Sequence, residues 1–282
     1  MLHYGVITLL IIRFFYIYCA HRACKQGTLM TLNFMKQFTM LFSFSPKNRI
    51  YELVAFFLFI AAMLLVILII PTPNLFDPMS EIANSLLSLL SRSAGHPLFI
   101  VTSAILCCLP IIKRMPFKKI LSLYLQFAIL LVLSLILKTS VKAITEIPRP
   151  FTQALTQVSV VESPDAFYLL KEQDKQDMIS MVETLVSPAR IDQWRQGTNY
   201  SFPSGHTIFA AICVLFWGGF LLRHKHYVLT AAVISWGVGV GLSRLWLGMH
   251  WPTDLMASII SASILILCVP TINLEKEPID KN

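Results

Sequence analysis

Charged side chains are scarce in this chain: only 13% of its 282 residues carry a charge, while 56% are hydrophobic. Soluble domains usually carry about 25% charged residues, so the shortage argues against a water-soluble globule. Cysteine is missing where a disulfide framework would need it. Cys107, Cys108, Cys213 and Cys268 lie in apolar runs, Cys19 and Cys24 lie near the N-terminus, and none falls in the long polar loop. That distribution excludes a stapled secreted domain or a cysteine-built zinc site and reads as membrane-packing thiols. No HExxH pattern, internal repeat or low-complexity tract is present, which removes the zinc-protease and solenoid readings.

What is in excess is positive charge, with a formal net of +8. The basic residues flank apolar runs in short clusters and no RNA- or DNA-binding signature accompanies them, so nucleic acid is not an expected partner. Six runs approach the roughly 20 apolar residues that a membrane-crossing helix needs. They are Tyr51–Ile70, Pro97–Ile112, Ile120–Leu137, His206–Leu222, Tyr227–Leu242 and about Leu255–Thr271; several are slightly short, so their helices are expected to extend into the flanking polar residues. The sequence thus predicts an all-α integral membrane bundle of six transmembrane helices.

The basic clusters orient it. Lys47 and Arg49 precede the first run; Lys113, Arg114, Lys118 and Lys119 join the second to the third; Arg223 and Lys225 join the fourth to the fifth. All are cytoplasmic only if both ends of the six-span domain are inside. Loops 71–96, 138–205 and 243–254 then face the other side. The domain is expected over 47–272, with a cytoplasmic tail at 273–282. Residues 1–46 form an extension to which no function is assigned. Its apolar stretch contains Arg13, and a seventh span, an uncleaved signal-like segment and a later start at Met30, Met35 or Met40 all remain open.

Two outer segments carry helical signals. Asp77-Pro78 reads as a helix start and Gly95 as a stop, with Met79, Ile82, Ala83, Leu86, Leu87 and Leu90 at helical spacing between them; the expectation is an amphipathic helix at the outer interface. Loop 151–200 is polar, with seven acidic and four basic residues. Ser163-Pro164-Asp165 and Ser187-Pro188 look like helix starts, and Met178, Met181, Val182 and Leu185 suggest a short helix between them. This predicts a small helical outer-face subdomain.

Three polar constellations fall in these outer loops. The first is Lys142-Ala-Ile-Thr-Glu-Ile-Pro-Arg149-Pro150: Arg149 offers a planar fork for phosphate oxygens and Lys142 a compact charge, though cations at a helix end also serve as simple interface anchors. The second is Pro203-Ser204-Gly205-His206, opening the fourth span. A helix start exposes unpaired N–H groups and favours an anion, Gly205 permits close backbone approach, Ser204 can donate a hydrogen bond, and His206 stands beside the bound anion as proton donor or acceptor. The third is Ser243-Arg244 followed by His250 and Asp254. Four residues apart, the carboxylate can hold one ring nitrogen of His250 and leave the other's lone pair for a substrate; Pro252 interrupts any simple helix across that spacing, so the contact is inferred. Each has a structural alternative, a capped helix or a tie between helix ends. The topology, derived from Lys and Arg alone, places all three on one face. Three cations, a helix N-terminus and two histidines suit a phosphate passing through a five-coordinate transition state, with one histidine attacking and one protonating the leaving oxygen, and without a cofactor or metal.

These stretches, K-x6-RP, PSGH and SR-x5-H-x3-D, resemble the three signatures of the type-2 phosphatidic acid phosphatase superfamily. EIPRPF, FPSGHT and SRLWLGMHWPTDL look like its bacterial phosphatidylglycerophosphatase B branch. The resemblance covers roughly residues 48–272. It implies His250 as nucleophile through a phosphohistidine, His206 as general acid, Asp254 orienting His250, and Lys142, Arg149, Ser204, Gly205 and Arg244 binding the phosphoryl group. It further implies a bacterial inner-membrane lipid phosphatase acting on phosphatidylglycerophosphate and often undecaprenyl pyrophosphate, phosphatidate or diacylglycerol pyrophosphate, with no obligate protein partner. The alternatives are a phosphotransferase using the same site and, from another class, an anion transporter with an outer phosphate site. Transporters place their charges near the bilayer midplane, often in repeated halves, whereas here they cluster at one face. The Asn199-Tyr200-Ser201 glycosylation pattern adjoins the site and is expected to be accidental.

Overall fold

The computed structural model describes residues 42–43 and 49–272; the extension at 1–46, except for 42–43, and the tail at 273–282 lie outside the described residues. Its elements are β1 (Phe42–Ser43), α1 (Ile50–Ile69), α2 (Glu81–Ser93), α3 (Phe99–Ile112), α4 (Phe117–Thr145), α5 (Pro150–Gln157), α6 (Pro164–Leu169), α7 (Glu172–Ser180), α8 (Pro188–Gln196), α9 (Gly205–Arg223), α10 (Tyr227–Trp246), α11 (Pro252–Cys268) and β2 (Thr271–Ile272). The two strands are a two-residue antiparallel pairing, Phe42 opposite Ile272 and Ser43 opposite Thr271. Everything else of substance is helical.

By length and composition α1, α4, α9 and α10 can cross a membrane, and α3 and α11 are shorter apolar helices. These are the six expected spans, and the chain is a multi-pass membrane protein. Helix α9 sits at the centre, packed against α1, α4, α10 and α11, and is buried almost throughout. Its neighbours turn the opposite pattern outward: Leu65, Leu68 and Ile69 of α1 and Val132, Leu135 and Ile136 of α4 are exposed. Large apolar residues on the outer surface are tolerable only where lipid replaces water. Lipid offers no hydrophobic drive between helices, so the centre is held by tight packing. Phe127 stacks on Phe216, and both rings meet Trp217 edge-on.

The third span shows the expected extension into its polar flanks: it runs past Leu137 to Thr145 and ends where Glu146 turns left-handed and Ile147 precedes Pro148. A residue before proline is pushed out of the helical region, which fixes that end. Other boundaries differ from the sequence expectation. The amphipathic helix begins at Glu81 because the Ser80 side chain, not Asp77, accepts from a free backbone N–H, that of Ala83. In the outer subdomain Ser163 caps α6 as expected and Pro188 begins α8. The helix expected around 178–185 lies earlier, as α7, and turns occupy 181–186. Helix α5 had no clear sequence signal.

A second apolar core holds this subdomain together. Phe151, Phe167 and Trp194 are fully buried, with Phe151 stacked on Trp194 and meeting Phe167 edge-on. Leu247 and Met249, from the chain between α10 and α11, belong to the same cluster. The subdomain core and the segment carrying His250 are therefore one packed unit.

Opposite ends of the bundle differ in chemistry. At one end Arg223 pairs with Glu52 at 3.6 Å and Arg49 donates to the Val269 carbonyl, and α4, which follows the basic α3–α4 turn, packs against β2 just beyond Val269. At the other lie the C-termini of α4 and α10 and the N-termini of α9 and α11. All three polar signatures meet there.

Candidate active site

Backbone stitching brings the signatures together before any side chain acts. Ser201 N–H donates to the Ile147 carbonyl at 2.7 Å and Phe151 N–H to the Gly248 carbonyl at 3.0 Å, while the Trp251 indole donates to the Pro148 carbonyl at 2.8 Å. The first signature is thus tied to both others.

His250 owes its position to the way α10 ends. Gly248 adopts φ +70°, a left-handed conformation in which a side chain is strained. Gly248 N–H returns to the Leu245 carbonyl, and the Met249 and His250 N–H groups return to that of Arg244, at 3.0, 3.0 and 3.2 Å. This is a Schellman-type close. Pro252 then opens α11 with its fixed φ, and the Asp254 carboxylate folds back to accept from Trp251 N–H at 3.0 Å. Pro252 therefore does not separate His250 from Asp254; as first residue of the helix it sets their approach.

The two nitrogens of the imidazole face different partners. Nδ1 lies 3.2 Å from Asp254 Oδ2, and Nε2 lies 3.3 Å from Arg149 Nη1. A carboxylate can only accept and a guanidinium can only donate, so the proton belongs on Nδ1 and the lone pair on Nε2. Burial pushes this histidine well below its ordinary value of 6.5, with the positive charges of Arg149, Arg244 and Lys142 adding to the effect. The ring is therefore a neutral base, aimed at cations, at neutral pH.

A cavity of about 400 Å³ opens in front of it, lined by Lys142, Arg149, Gly205, His206, Arg244 and His250 among others. Six of the eight expected site residues thus share one space. Arg149 is held from three sides: Nε and Nη2 donate to the Asn199 carbonyl and side-chain oxygen, both at 2.6 Å, and Nη1 to the Met249 carbonyl at 2.8 Å. Lys142 donates to the carbonyls of Tyr200 and Ser201. Arg244 is 2% exposed, and its Nε has no protein partner.

The other two expected residues stand behind the cavity wall. Asp254 backs His250 and is fully buried. The Ser204 hydroxyl caps α9, accepting from Thr207 N–H at 3.3 Å and from the Thr207 hydroxyl at 2.8 Å. Gly205 has a second reason to lack a side chain, since a Cβ there would lie 2.6 Å from Lys138 Cδ. Among the described residues, no three His, Cys, Asp or Glu side chains converge as a metal site would require.

Four participants were not singled out for the site from the sequence. The Ser201 hydroxyl donates to Asp254 Oδ2 and lies 3.3 Å from His250 Nδ1. Asn199 holds Arg149, which gives the residue of the glycosylation-like triplet an internal task. Ser91 and Gln193 both touch Arg244. Only Ser201 and Asn199, beside the PSGH stretch, had any positional signal.

A second cavity of about 560 Å³ adjoins the first, sharing Gly95, His96, Leu135, Lys138, Gly205 and His206 with it. Its remaining walls include Phe99, Leu131, Val132, Ile208 and Phe209. A cationic chamber and an apolar groove between α3, α4 and α9 thus meet at His206.

Comparison with known proteins agrees with this layout. The family described as the PAP2 superfamily matches residues 123–277, more than half of the chain. Phosphatidylglycerophosphatase B of Escherichia coli (strain K12) is 33% identical over 156 residues, covering 52% of this chain and 60% of the relative. The protein of the same name from Shigella flexneri gives the same figures. That of Haemophilus influenzae is 36% identical over 138 residues, covering 45% and 56%. The chain thus spans about 60% or less of the length of these curated relatives.

Proposed function

We infer the function from one premise, that the chain belongs to the PAP2 superfamily: it is a membrane lipid phosphatase that removes the terminal phosphate of phosphatidylglycerophosphate. Undecaprenyl pyrophosphate, phosphatidate and diacylglycerol pyrophosphate are further substrates of the same chemistry. The reading is supported by the names of the relatives and, above all, by one observation. His250 presents Nε2 to a chamber of cations while Asp254 holds Nδ1.

In the proposed reaction the phosphate sits among Lys142, Arg149 and Arg244, with the free N–H groups at the start of α9 beside it. His250 Nε2 attacks phosphorus, and the bond from phosphorus to the lipid oxygen breaks. His206 gives that oxygen its proton, and the lipid alcohol or phosphate departs. Water then attacks the phosphohistidine from the vacated side, yielding its proton to His206. The P–N bond breaks, its electron pair returns to Nε2, and inorganic phosphate leaves. The cations act by stabilising the equatorial oxygens, where negative charge concentrates in the five-coordinate state.

The apolar groove gives the substrate class a physical basis, since the leaving group lies on the His206 side and that is where the groove begins. The basic loops at the opposite end support a site on the periplasmic face of a bacterial inner membrane, with both ends of the six-span domain cytoplasmic. The decisive measurement is phosphate release from phosphatidylglycerophosphate by purified His250→Ala protein in detergent. Loss of the nucleophile is expected to lower turnover by ~1000-fold or more with melting temperature retained. Turnover near that of the parent would refute the assignment.

A further inference from the structure

Arg244 is the most deeply buried cation of the chamber, and its partners are all uncharged. Its Nη1 donates to the Ser91 hydroxyl and, at 2.5 Å, to Gln193 Oε1. The Ser91 hydroxyl donates in turn to the same Gln193 oxygen at 2.9 Å. Ser91 is 1% exposed and Gln193 4% exposed, so this is a closed three-membered network on the chamber wall. Ser91 lies on α2 and Gln193 on α8, 102 residues apart.

The same two helices use a different chemistry one residue away. Arg92 of α2 faces Asp192 of α8 at 3.8 Å, and Arg195 of α8 pairs with Glu183 at 2.8 Å, both at the surface. At the exposed rim, where Arg92 still borders the chamber, arginine has a carboxylate partner. At the buried wall, Arg244 has a hydroxyl and an amide. An amide oxygen accepts as a carboxylate does but brings no charge, so it fixes the guanidinium without neutralising it. The orphaned Nε of Arg244 is buried, as expected of a donor reserved for a ligand.

Helix α8 also grips the chain just beyond Arg244. Arg190 Nε donates to the Trp246 carbonyl at 3.1 Å and the Trp194 indole to the Leu247 carbonyl at 2.7 Å. Residues 190, 193 and 194 share one helical face, and that face reads the end of α10 from Arg244 to Leu247.

We propose that Gln193, backed by Ser91, is a positioning residue for the phosphoryl site: it aims Arg244 from the outer subdomain and, by being neutral, keeps the full positive charge of Arg244 available to the bound anion. This rests on the reading of the chamber as a phosphate site. Gln193→Glu is the discriminating substitution, because it retains size and the oxygen that accepts from Arg244 and Ser91 while exchanging the amide NH2 for a charged oxygen. Binding of orthovanadate to the detergent-purified protein, measured by calorimetry, reports anion affinity without requiring turnover. Gln193→Glu is expected to weaken vanadate binding about tenfold, because a carboxylate cancels the Arg244 charge, while the melting temperature stays within a few degrees. Ser91→Ala is expected to weaken it at least threefold. Arg195→Ala, which breaks only the surface contacts to Glu183 and Ser180 from the same helix, leaves it unchanged. A change under threefold in folded Gln193→Glu overturns the proposal, and so does an unchanged affinity in Ser91→Ala should the glutamate variant fail to fold. If the parent protein itself neither binds vanadate nor releases phosphate from lipid, the phosphatase reading falls and this inference with it.

Discussion

His206 is confined by a neighbour that has no side chain. A Cβ on Gly95 would stand 2.5 Å from His206 Nε2, closer than real Cβ contacts come. Gly95→Ala should therefore push the imidazole off its position rather than disturb the helix around it. The expected outcome is a fall in kcat of about tenfold to a hundredfold, the scale of a general acid displaced from its line, with thermal stability nearly unchanged. Equal kcat in the two proteins would mean that His206 has room to spare. The eight candidate residues could be picked out as one group because each lies in a short stretch of fixed spacing, and the fold gathers those stretches at one end. Gly95, Ser201, Asn199, Ser91 and Gln193 could not, because each acts by touching something distant in sequence. Ser201 meets Asp254 across 53 positions and Gln193 meets Arg244 across 51, and no local pattern encodes such a contact.

Among the elements, α8 is the one whose importance its sequence conceals. It is short, polar and lies in what reads as a loop, yet Trp194 is fully buried, stacks on Phe151 and holds the Leu247 carbonyl. Removing that ring leaves a cavity and an unpaired carbonyl. Trp194→Ala should destabilise the protein by about 3–5 kcal/mol, visible as a lowered unfolding midpoint in detergent. It should also reduce activity beyond the loss of folded material, because the segment leading to His250 loses its anchor. A midpoint unchanged by the substitution would show that the outer core contributes little. Element starts at Ser163 and Pro188 were readable from capping chemistry and from a proline in the first turn. Helix α5 was not, and the extension of α4 beyond its apolar run was readable in kind but not in length, since polar residues continue a helix freely once its apolar part is fixed by packing.

For the whole molecule, the six-span architecture followed from apolar run lengths, and the gathering of three signatures at one end followed from alternating helix direction. What the sequence withheld was the central placement of α9, which depends on mutual packing and not on its own hydropathy. The proposed orientation is open to a direct check. Leu169, at the end of α6, is 88% exposed, and Lys113 caps α3 at the other end of the bundle. In intact cells a membrane-impermeant maleimide should label Leu169→Cys above the parent background and should spare Lys113→Cys until the membrane is opened. The reverse pattern would invert the topology and place the site in the cytoplasm.

The meeting of two differently lined spaces at His206 has a consequence for how the proposed reaction would clear itself. Its two products would have opposite preferences of medium and would part by different routes. The released phosphate belongs to the polar mouth and drains toward water. The dephosphorylated lipid would have its hydrocarbon already in the groove between α3, α4 and α9 and would slide sideways into the leaflet. Neither product would have to pass the other, and the lipid need never be lifted out of the bilayer.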